Sequence, residues 1–226
     1  MKGKRIFYCE LAYFAGLFIL AFGTALMEKA DFGISMVVAP AYLIHLKLSE
    51  SVSFFSFGMS EYFFQAVLLV LLALVMRKFK KSYILSFATA FLYGTVLDLA
   101  ISIVALFPCS GFVWQAIFYV AGLILCAIGV ALLLQTYFPP EAYELVVKEL
   151  SAKFHVTVGK TKTIYDCCSC ALAIVFSVCF FKTFVGEKWG TIVCAMVNGW
   201  LIGKISWLLD KNFVLKDALP WRSKLQ

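Results

Sequence analysis

Six polar side chains interrupt apolar stretches of this 226-residue chain: Glu61, Gln65, Tyr93, Asp98, Asp166 and Asn198. An ionisable group at the centre of a bilayer costs about 2.5–3.5 kcal/mol on insertion scales, so each needs a reason to be there. Carboxylates can attract a cation and exchange protons, and Tyr, Gln and Asn side chains supply hydrogen bonds. We therefore predict that these six residues bind substrate.

Ordinary structural roles compete with that hypothesis. Glu61 and Asp166 each lie about a turn from the end of an apolar stretch, where a carboxylate can face headgroups or the positive end of a helix dipole. Asn198 could simply bond a neighbouring helix. Asp98, beside Gly94, is the costliest of the set to bury and is the leading functional candidate.

Glu141 and Glu144 form a second group of candidates, at a cytoplasmic gate. They follow Pro139 and Pro140, and proline suits the first turn of a helix because its missing N–H is not needed there. Glu141 complements the positive end of the helix dipole. The pattern predicts a short helix that starts at this point.

Two short segments, 33–49 and 139–157, are therefore expected not to span. Each could be a re-entrant half-helix with its N-terminus directed at a shared cavity, since irregular backbone is tolerated at membrane depth when it is buried in protein. The second could equally be an amphipathic helix lying on the inner surface. The first is almost wholly apolar, which favours re-entry.

The composition predicts an integral membrane protein, with 63% hydrophobic and 15% charged residues. A soluble domain carries about 25% charged residues. Six apolar stretches have the length of about 20 residues that a spanning helix needs. They cover residues 6–27, 57–76, 83–106, 112–137, 163–182 and 189–209. We expect one domain, residues 1–226, with no soluble module.

Lys and Arg residues predict the orientation. With six spans, the termini, the run 77–81 and the basic residues of 148–162 all lie on one side. The positive-inside rule makes that side the cytoplasm. We expect a multi-pass protein of the bacterial plasma membrane with both termini cytoplasmic.

An internal duplication is suggested by related segments about 105 residues apart. FGTAL at 22–26 resembles IGVAL at 128–132, and FGMS at 57–60 resembles VGKT at 158–161. The repeats would cover about 6–106 and 112–209, before a tail at 210–226. Three spans in each make the second copy inverted, which is typical of transporters. Tyr93-Gly94 and Asn198-Gly199 would then meet near the midplane.

No catalytic signature is present: the chain has no Walker motif, HExxH, nucleophile elbow or GxGxxG. We therefore expect that the protein is not an enzyme and that it has no catalytic residues, no cofactor and no metal site. The 20 basic residues against 13 acidic ones are scattered among loops, so we expect no nucleic-acid partner.

A family resemblance rests on several of these runs. GTALM at 23–27 and ADFGIS at 30–35 resemble the opening of the YczE/YitT-type bacterial membrane proteins, and YGTVLD at 93–98 and WGT at 189–191 fit the same pattern. The resemblance covers roughly residues 10–209 and implies a multi-span inner-membrane protein, but no reaction. This chain departs from the family pattern in its second half. Typical members have a run that resembles Gly-x-Gly-Pro-x-Asp, and this chain has YFPPEAYE at 137–144 instead.

The sequence thus predicts an all-α protein of six transmembrane helices in two inverted three-helix repeats, each with a short broken or re-entrant helix. It would bind or move a small polar or cationic solute at a midplane site. The alternatives are a substrate-binding subunit of a vitamin-type importer and a membrane scaffold or regulatory protein. The expected partners are the lipid bilayer and, in a homodimer, a second copy of the chain.

Overall fold

A computed structural model describes residues 5–156, 158–182 and 189–217. In these residues the chain is all-α apart from two short strands, β1 (Arg5–Tyr8) and β2 (Phe213–Lys216). Eight helices are present in the described residues, in an order of long, short, long, long that occurs twice. They are α1 (Cys9–Ala30), α2 (Ala39–Ser49), α3 (Phe57–Met76), α4 (Lys81–Ala105), α5 (Phe112–Gln135), α6 (Ala142–Phe154), α7 (Val158–Phe181) and α8 (Trp189–Asn212).

Five of the described helices are long and apolar enough to cross a membrane: α1, α3, α4, α5 and α7. The sixth predicted span corresponds to α8, which has 24 residues. Polar and charged residues along α8, including Asn198, Lys204 and Asp210, lower its hydropathy. The described part of the fold thus contains five clear candidate spans.

Helices α1 and α5 pack antiparallel along a seam of four glycines. A Cβ atom on Gly23 would lie 2.8 Å from the carbonyl oxygen of Gly122, and one on Gly16 would lie 3.2 Å from that of Gly129. Small residues allow two helix backbones to approach this closely. Because Gly16 meets Gly129 and Gly23 meets Gly122, the two helices run in opposite directions.

Helices α3 and α4 are joined by another glycine pair. A Cβ on Gly58 would lie 2.0 Å from the carbonyl oxygen of Gly94. The expected approach of Gly94 to Gly199 does not occur, since no described neighbouring atom lies within 4 Å of a Cβ placed on Gly199. The reason is that α4 packs on α1 and α3, whereas α8 packs on α5.

Both described ends of the chain lie at the same end of the helix bundle. Strand β1 pairs in parallel with β2, and Arg5 is opposite Phe213. Because β1 runs directly into α1 and α8 runs directly into β2, α1 starts where α8 finishes. We call this end of the bundle the terminal end.

The start of α4 also lies at the terminal end, since α1 and α4 run in the same direction. Tyr13 and Thr89 share a hydrogen bond of 2.8 Å near one end of the pair, and Lys29 donates to the carbonyl oxygen of Ala105 at the other. The loop between α3 and α4, which carries the basic run 77–81, is therefore at the terminal end.

The short helix α6 starts inside the bundle and runs out to the terminal end. Its first backbone N–H, on Ala142, donates to Gln65 Oε1 at 3.0 Å. Gln65 lies about 16 Å along α3 from Met76, at a rise of ~1.5 Å per residue. Eight residues further along the chain from Glu141, Glu149 forms an ion pair of 2.6 Å with Lys80 at the start of α4. One end of α6 is thus deep in the bundle and the other is at its surface.

The other short helix, α2, packs on α3 and α7. Ser60 Oγ donates to the carbonyl oxygen of Ala41 at 2.5 Å, and His45 Nδ1 lies 3.0 Å from that of Phe55. Phe55 precedes α3, whose first residues lie at the end of the bundle opposite the terminal end. The two short helices therefore run from the interior toward opposite ends.

Candidate functional site: a buried acidic cluster

Side chains of α3 and α6 meet in a buried polar cluster. Gln65 Nε2 donates to Glu61 Oε2 and to Glu141 Oε2, at 3.3 Å in each case. Tyr143 donates its hydroxyl to Glu61 Oε2 at 2.8 Å. Glu61 and Gln65 are 0% exposed and Glu141 is 4% exposed. We call Glu61, Gln65, Glu141 and Tyr143 the acidic cluster.

Local sequence explains how α3 and α6 present these groups. Glu61 and Gln65 are four residues apart, so they lie on one face of α3. Pro139 and Pro140 have no N–H to satisfy when the chain enters the bundle, and their carbonyl oxygens accept from Thr89 at 3.2 Å and Ser86 at 2.7 Å. The prolines thus bring the start of α6 into an apolar interior without unpaired donors of their own.

Among the described hydrogen bonds of the cluster, none comes from a Lys, Arg or His side chain that could balance the charge of the two carboxylates. Glu61 Oε1 and Glu141 Oε1 are buried and accept no hydrogen bond from the described chain. An isolated buried carboxylate is strongly unfavourable unless it is paired or protonated. Burial, helped by the nearby carboxylates of Glu144 and Glu61, raises the pKa of Glu141 well above its usual value. The cluster is therefore arranged to hold a proton or another cation.

Glu141 also faces a small cavity of about 10 Å³. Its walls are apolar side chains of α1 and α5 together with Pro140, Glu141 and Glu144. A volume of about 10–15 Å³ on this measure holds one water molecule. This cavity beside Glu141 thus has room for about one water-sized species.

Helix α7 contributes a second pair of charged residues next to α6. Lys162 Nζ lies 3.2 Å from Asp166 Oδ1, and each side chain is about one third exposed. Burial raises the pKa of the half-buried Glu144, and the positive charge of Lys162 partly opposes that rise. Asp166 and Glu144, both predicted from the sequence, therefore lie at the edge of the acidic cluster.

Tyr93 lies on the α1 side of the same region. Its hydroxyl shares a buried hydrogen bond of 2.9 Å with Thr24 of α1, and the side chain is 1% exposed. It is close enough to Glu61 and Glu141 to interact with them electrostatically. Tyr93 thus belongs to the polar interior, but its described hydrogen bond leads to α1.

Asp98 lies away from the cluster, where it caps the start of α3. Ser56 Oγ donates to Asp98 Oδ2 at 2.5 Å, and the Gly58 N–H donates to Asp98 Oδ1 at 2.8 Å. Ser56 in turn accepts from the Met59 N–H, as a helix N-cap does. These contacts give Asp98 a structural explanation, and its predicted role in solute binding stays a prediction.

Asn198 is on α8, in the layer packed on α5. Its Oδ1 is buried and has no hydrogen-bond partner among the described residues. The structure therefore does not place Asn198 in the described hydrogen bonds of the acidic cluster. No group of three or more His, Cys, Asp and Glu side chains in the described part of the chain is arranged to hold a metal ion.

Comparison with known proteins places the chain in a family. A family of unknown function, DUF6198, matches residues 7–206. The chain belongs to this family. It is also 26% identical over 209 residues to the uncharacterized protein YyaS of Bacillus subtilis (strain 168), covering 91% of this chain and 96% of that one. No solved structure matches the chain. The resemblance to YczE/YitT-type proteins is not confirmed by these matches.

The sequence patterns did not identify two residues of the site, Tyr143 and Lys162. Tyr143 follows Glu141 by two residues, and its hydroxyl reaches Glu61 only because α6 packs against α3. Lys162 lies 101 residues after Glu61, the same spacing that relates FGMS at 57–60 to VGKT at 158–161. That spacing was the signal that could have identified Lys162.

Proposed function

We propose that this membrane protein is a carrier for a small polar or cationic solute. The observation that carries the proposal is the acidic cluster itself. Two buried carboxyl groups with free oxygens, joined by Gln65 and Tyr143, are costly to keep inside an apolar bundle. A solute that brings positive charge or hydrogen-bond donors would offset this cost.

The architecture supports a six-span arrangement of two inverted repeats. The glycine seam between α1 and α5 is self-complementary. Gly16 lies 106 residues before Gly122, and Gly23 lies 106 residues before Gly129. Gly16 contacts Gly129, and Gly23 contacts Gly122, so exchanging the two repeats reproduces the same contacts. Contacts that are unchanged when two repeats are exchanged are typical of a two-fold axis. Because α1 and α5 are antiparallel, such an axis would invert one repeat relative to the other.

Other helix pairs follow the same exchange. α4 packs on α1 as α8 packs on α5, and α2 packs on α7 as α6 packs on α3. In this arrangement α8 is the sixth span, which also agrees with both described ends of the chain lying at the terminal end. The short helices α2 and α6 would be the re-entrant elements of the two repeats, with their starts near the midplane.

The basic residues support a cytoplasmic position for the terminal end. The run 77–81 lies there, as do Lys153, whose Nζ donates to the Val75 carbonyl oxygen at 2.5 Å, and Lys211 near the end of α8. The positive-inside rule then orients both termini to the cytoplasm of a bacterial plasma membrane. Glu144 lies on α6 on the side of the cluster nearer this face, and we assign the cytoplasmic gate to Glu144 together with Glu141 at the start of α6.

Flux measurements on the full chain in liposomes test the proposal. Ammonium, methylammonium and guanidinium serve as probe solutes, and currents are recorded on a solid-supported membrane after rapid exchange. We expect a protein-dependent current for at least one probe in the wild type. Glu61→Gln should reduce it to the level of protein-free vesicles, because the substitution removes charge from the centre of the cluster.

Glu50→Gln is the matched control, since Glu50 is an exposed carboxylate paired with Lys47 at 2.6 Å, far from the cluster. It should leave the current unchanged. Thermal unfolding and size-exclusion profiles of both variants check that they are folded. Equal currents from wild-type and protein-free vesicles with every probe would contradict the proposal, as would full activity in a folded Glu61→Gln variant.

A further inference from the structure

We infer that the acidic cluster binds one small monovalent metal ion, Na⁺ or K⁺, in exchange for one proton. The inference rests on the proposed function, because it assigns the coupling ion to the same site. The exchange is balanced: the protonated cluster takes up the metal ion, one carboxyl O–H bond breaks, and one proton is released to water.

The cluster brings together a set of oxygen atoms. Four carboxyl oxygens of Glu61 and Glu141 and the Tyr143 hydroxyl lie in one buried group, and two of the carboxyl oxygens have no partner in the described chain. Hard cations prefer oxygen ligands. The Gln65 amide is already committed, with both of its donated bonds and its carbonyl oxygen in use. A cation is therefore the group that would satisfy the free oxygens.

The two carboxyl groups of the cluster limit the charge that it can carry. Glu61 and Glu141, which share the Gln65 amide, repel each other when both are ionised, so one of them keeps its proton more readily. The favoured state thus has a single negative charge, which one proton or one monovalent ion neutralises.

The space beside Glu141 is small. The cavity beside Glu141 and Glu144 has a volume of about 10 Å³, which corresponds to roughly one water molecule. A bare metal ion, or an ion with one water, fits this space, and an organic solute does not. Glu141 therefore has room beside it for the coupling ion in this arrangement of the helices.

Other titratable groups face the cluster from every helix packed around it: Tyr13, Tyr93, Cys126, Glu144, Lys162, Tyr165 and Asp166. The phenols and the thiol are protonated near neutral pH. Lys162 is paired with Asp166. Glu144 is the remaining group that could exchange a proton, so release that survives in both Glu61→Gln and Glu141→Gln would assign the exchange to Glu144 instead.

Proton release on ion binding tests the inference. The full chain in detergent and weak buffer is titrated with NaCl or KCl, with choline chloride at the same ionic strength as the control salt, and pH is followed with an indicator dye. We expect about one proton per chain to be released by NaCl or KCl and none by choline chloride. Glu61→Gln and Glu141→Gln should each abolish release, while Glu50→Gln retains it.

Tyr143→Phe keeps the test decisive if the Gln variants do not fold. It removes one donor to Glu61, so the ionised cluster is less well stabilised. The half-saturating salt concentration should then rise several-fold with the proton count unchanged; an unchanged midpoint overturns the inference. Absence of release in the wild type, or equal release in Glu61→Gln, Glu141→Gln and the wild type, also overturns it.

The flux assay separates this inference from the proposed function. Solute current without ion-dependent proton release would leave the carrier in place and remove the coupling ion. Proton release without any solute current would establish the ion site and remove the carrier.

Discussion

Glu141 should make the stability of the folded protein decrease as pH rises. Burial raises the pKa of Glu141 well above its usual value, with the charges of Glu144 and Glu61 adding to the effect and the amide of Gln65 opposing it. A carboxyl group in the unfolded chain titrates at about 4.3. Above that pH the folded protein still holds a proton that the unfolded chain has lost. The stabilisation is therefore complete below about pH 4.3 and is lost as the pH rises through the raised pKa.

The magnitude follows from proton linkage. While the folded state binds one more proton than the unfolded state, the free energy of unfolding falls by about 1.4 kcal/mol per pH unit. For a chain of this length, that corresponds to a melting temperature lower by about 3–6 °C per pH unit. Glu141→Gln keeps a neutral group of similar shape, so the part of the slope that comes from Glu141 should disappear.

The assay is thermal unfolding in detergent at constant ionic strength, between about pH 5 and pH 8, where ordinary carboxyl groups have already titrated. Wild type and Glu50→Gln should show the same negative slope, and Glu141→Gln a smaller one. If Glu141→Gln keeps the full slope, or if the wild type becomes more stable as pH rises, then Glu141 is ionised in the folded protein. The electrostatic reasoning for the cluster would then be wrong.

Two further predictions concern the contacts that hold α3 and α4 together. Gly58→Ala should destabilise the protein by about 1–3 kcal/mol or more, because its Cβ would lie 2.0 Å from the Gly94 carbonyl oxygen. Gly199→Ala, where no described atom is close, should be neutral or stabilising by up to about 1 kcal/mol, and equal melting temperatures of the two variants would refute the packing argument. Asp98→Asn should lower stability by about 1–2 kcal/mol through weaker bonds to the start of α3, and ion-dependent proton release should remain. Loss of that release in a stable Asp98→Asn variant would instead return Asp98 to the binding site.

The order of helices could be predicted because apolar length and helix-start signals are local properties. The predicted stretches at 57–76 and 112–137 match α3 and α5 within two residues at each end, and the prolines at 139 and 140 come just before α6. Glu61 and Gln65 could be assigned to one helix face from their spacing alone. The repeated order of elements was likewise visible in the sequence.

The partners of the polar residues could not be predicted in this way. Asp98 was the leading candidate for solute binding because a buried carboxylate is costly, but the cost says nothing about which group offsets it. The close approach of Gly58 and Gly94 brings the start of α3 to Asp98, and its N–H and the Ser56 hydroxyl supply the bonds. The pairing of β1 with β2 was not predicted either, because four-residue strands at the chain ends have no pattern of their own.

By itself the sequence determined that this protein is apolar and helical, with two short helices among the long ones, because transfer from water and helix formation act on neighbouring residues. Only the tertiary structure decided which polar side chains meet. Gln65 joins Glu61, four residues away on its own helix, to Glu141, 76 residues further along the chain. That contact depends on the two prolines and on the packing of α6 against α3, and the fit between distant surfaces is not encoded in any one segment.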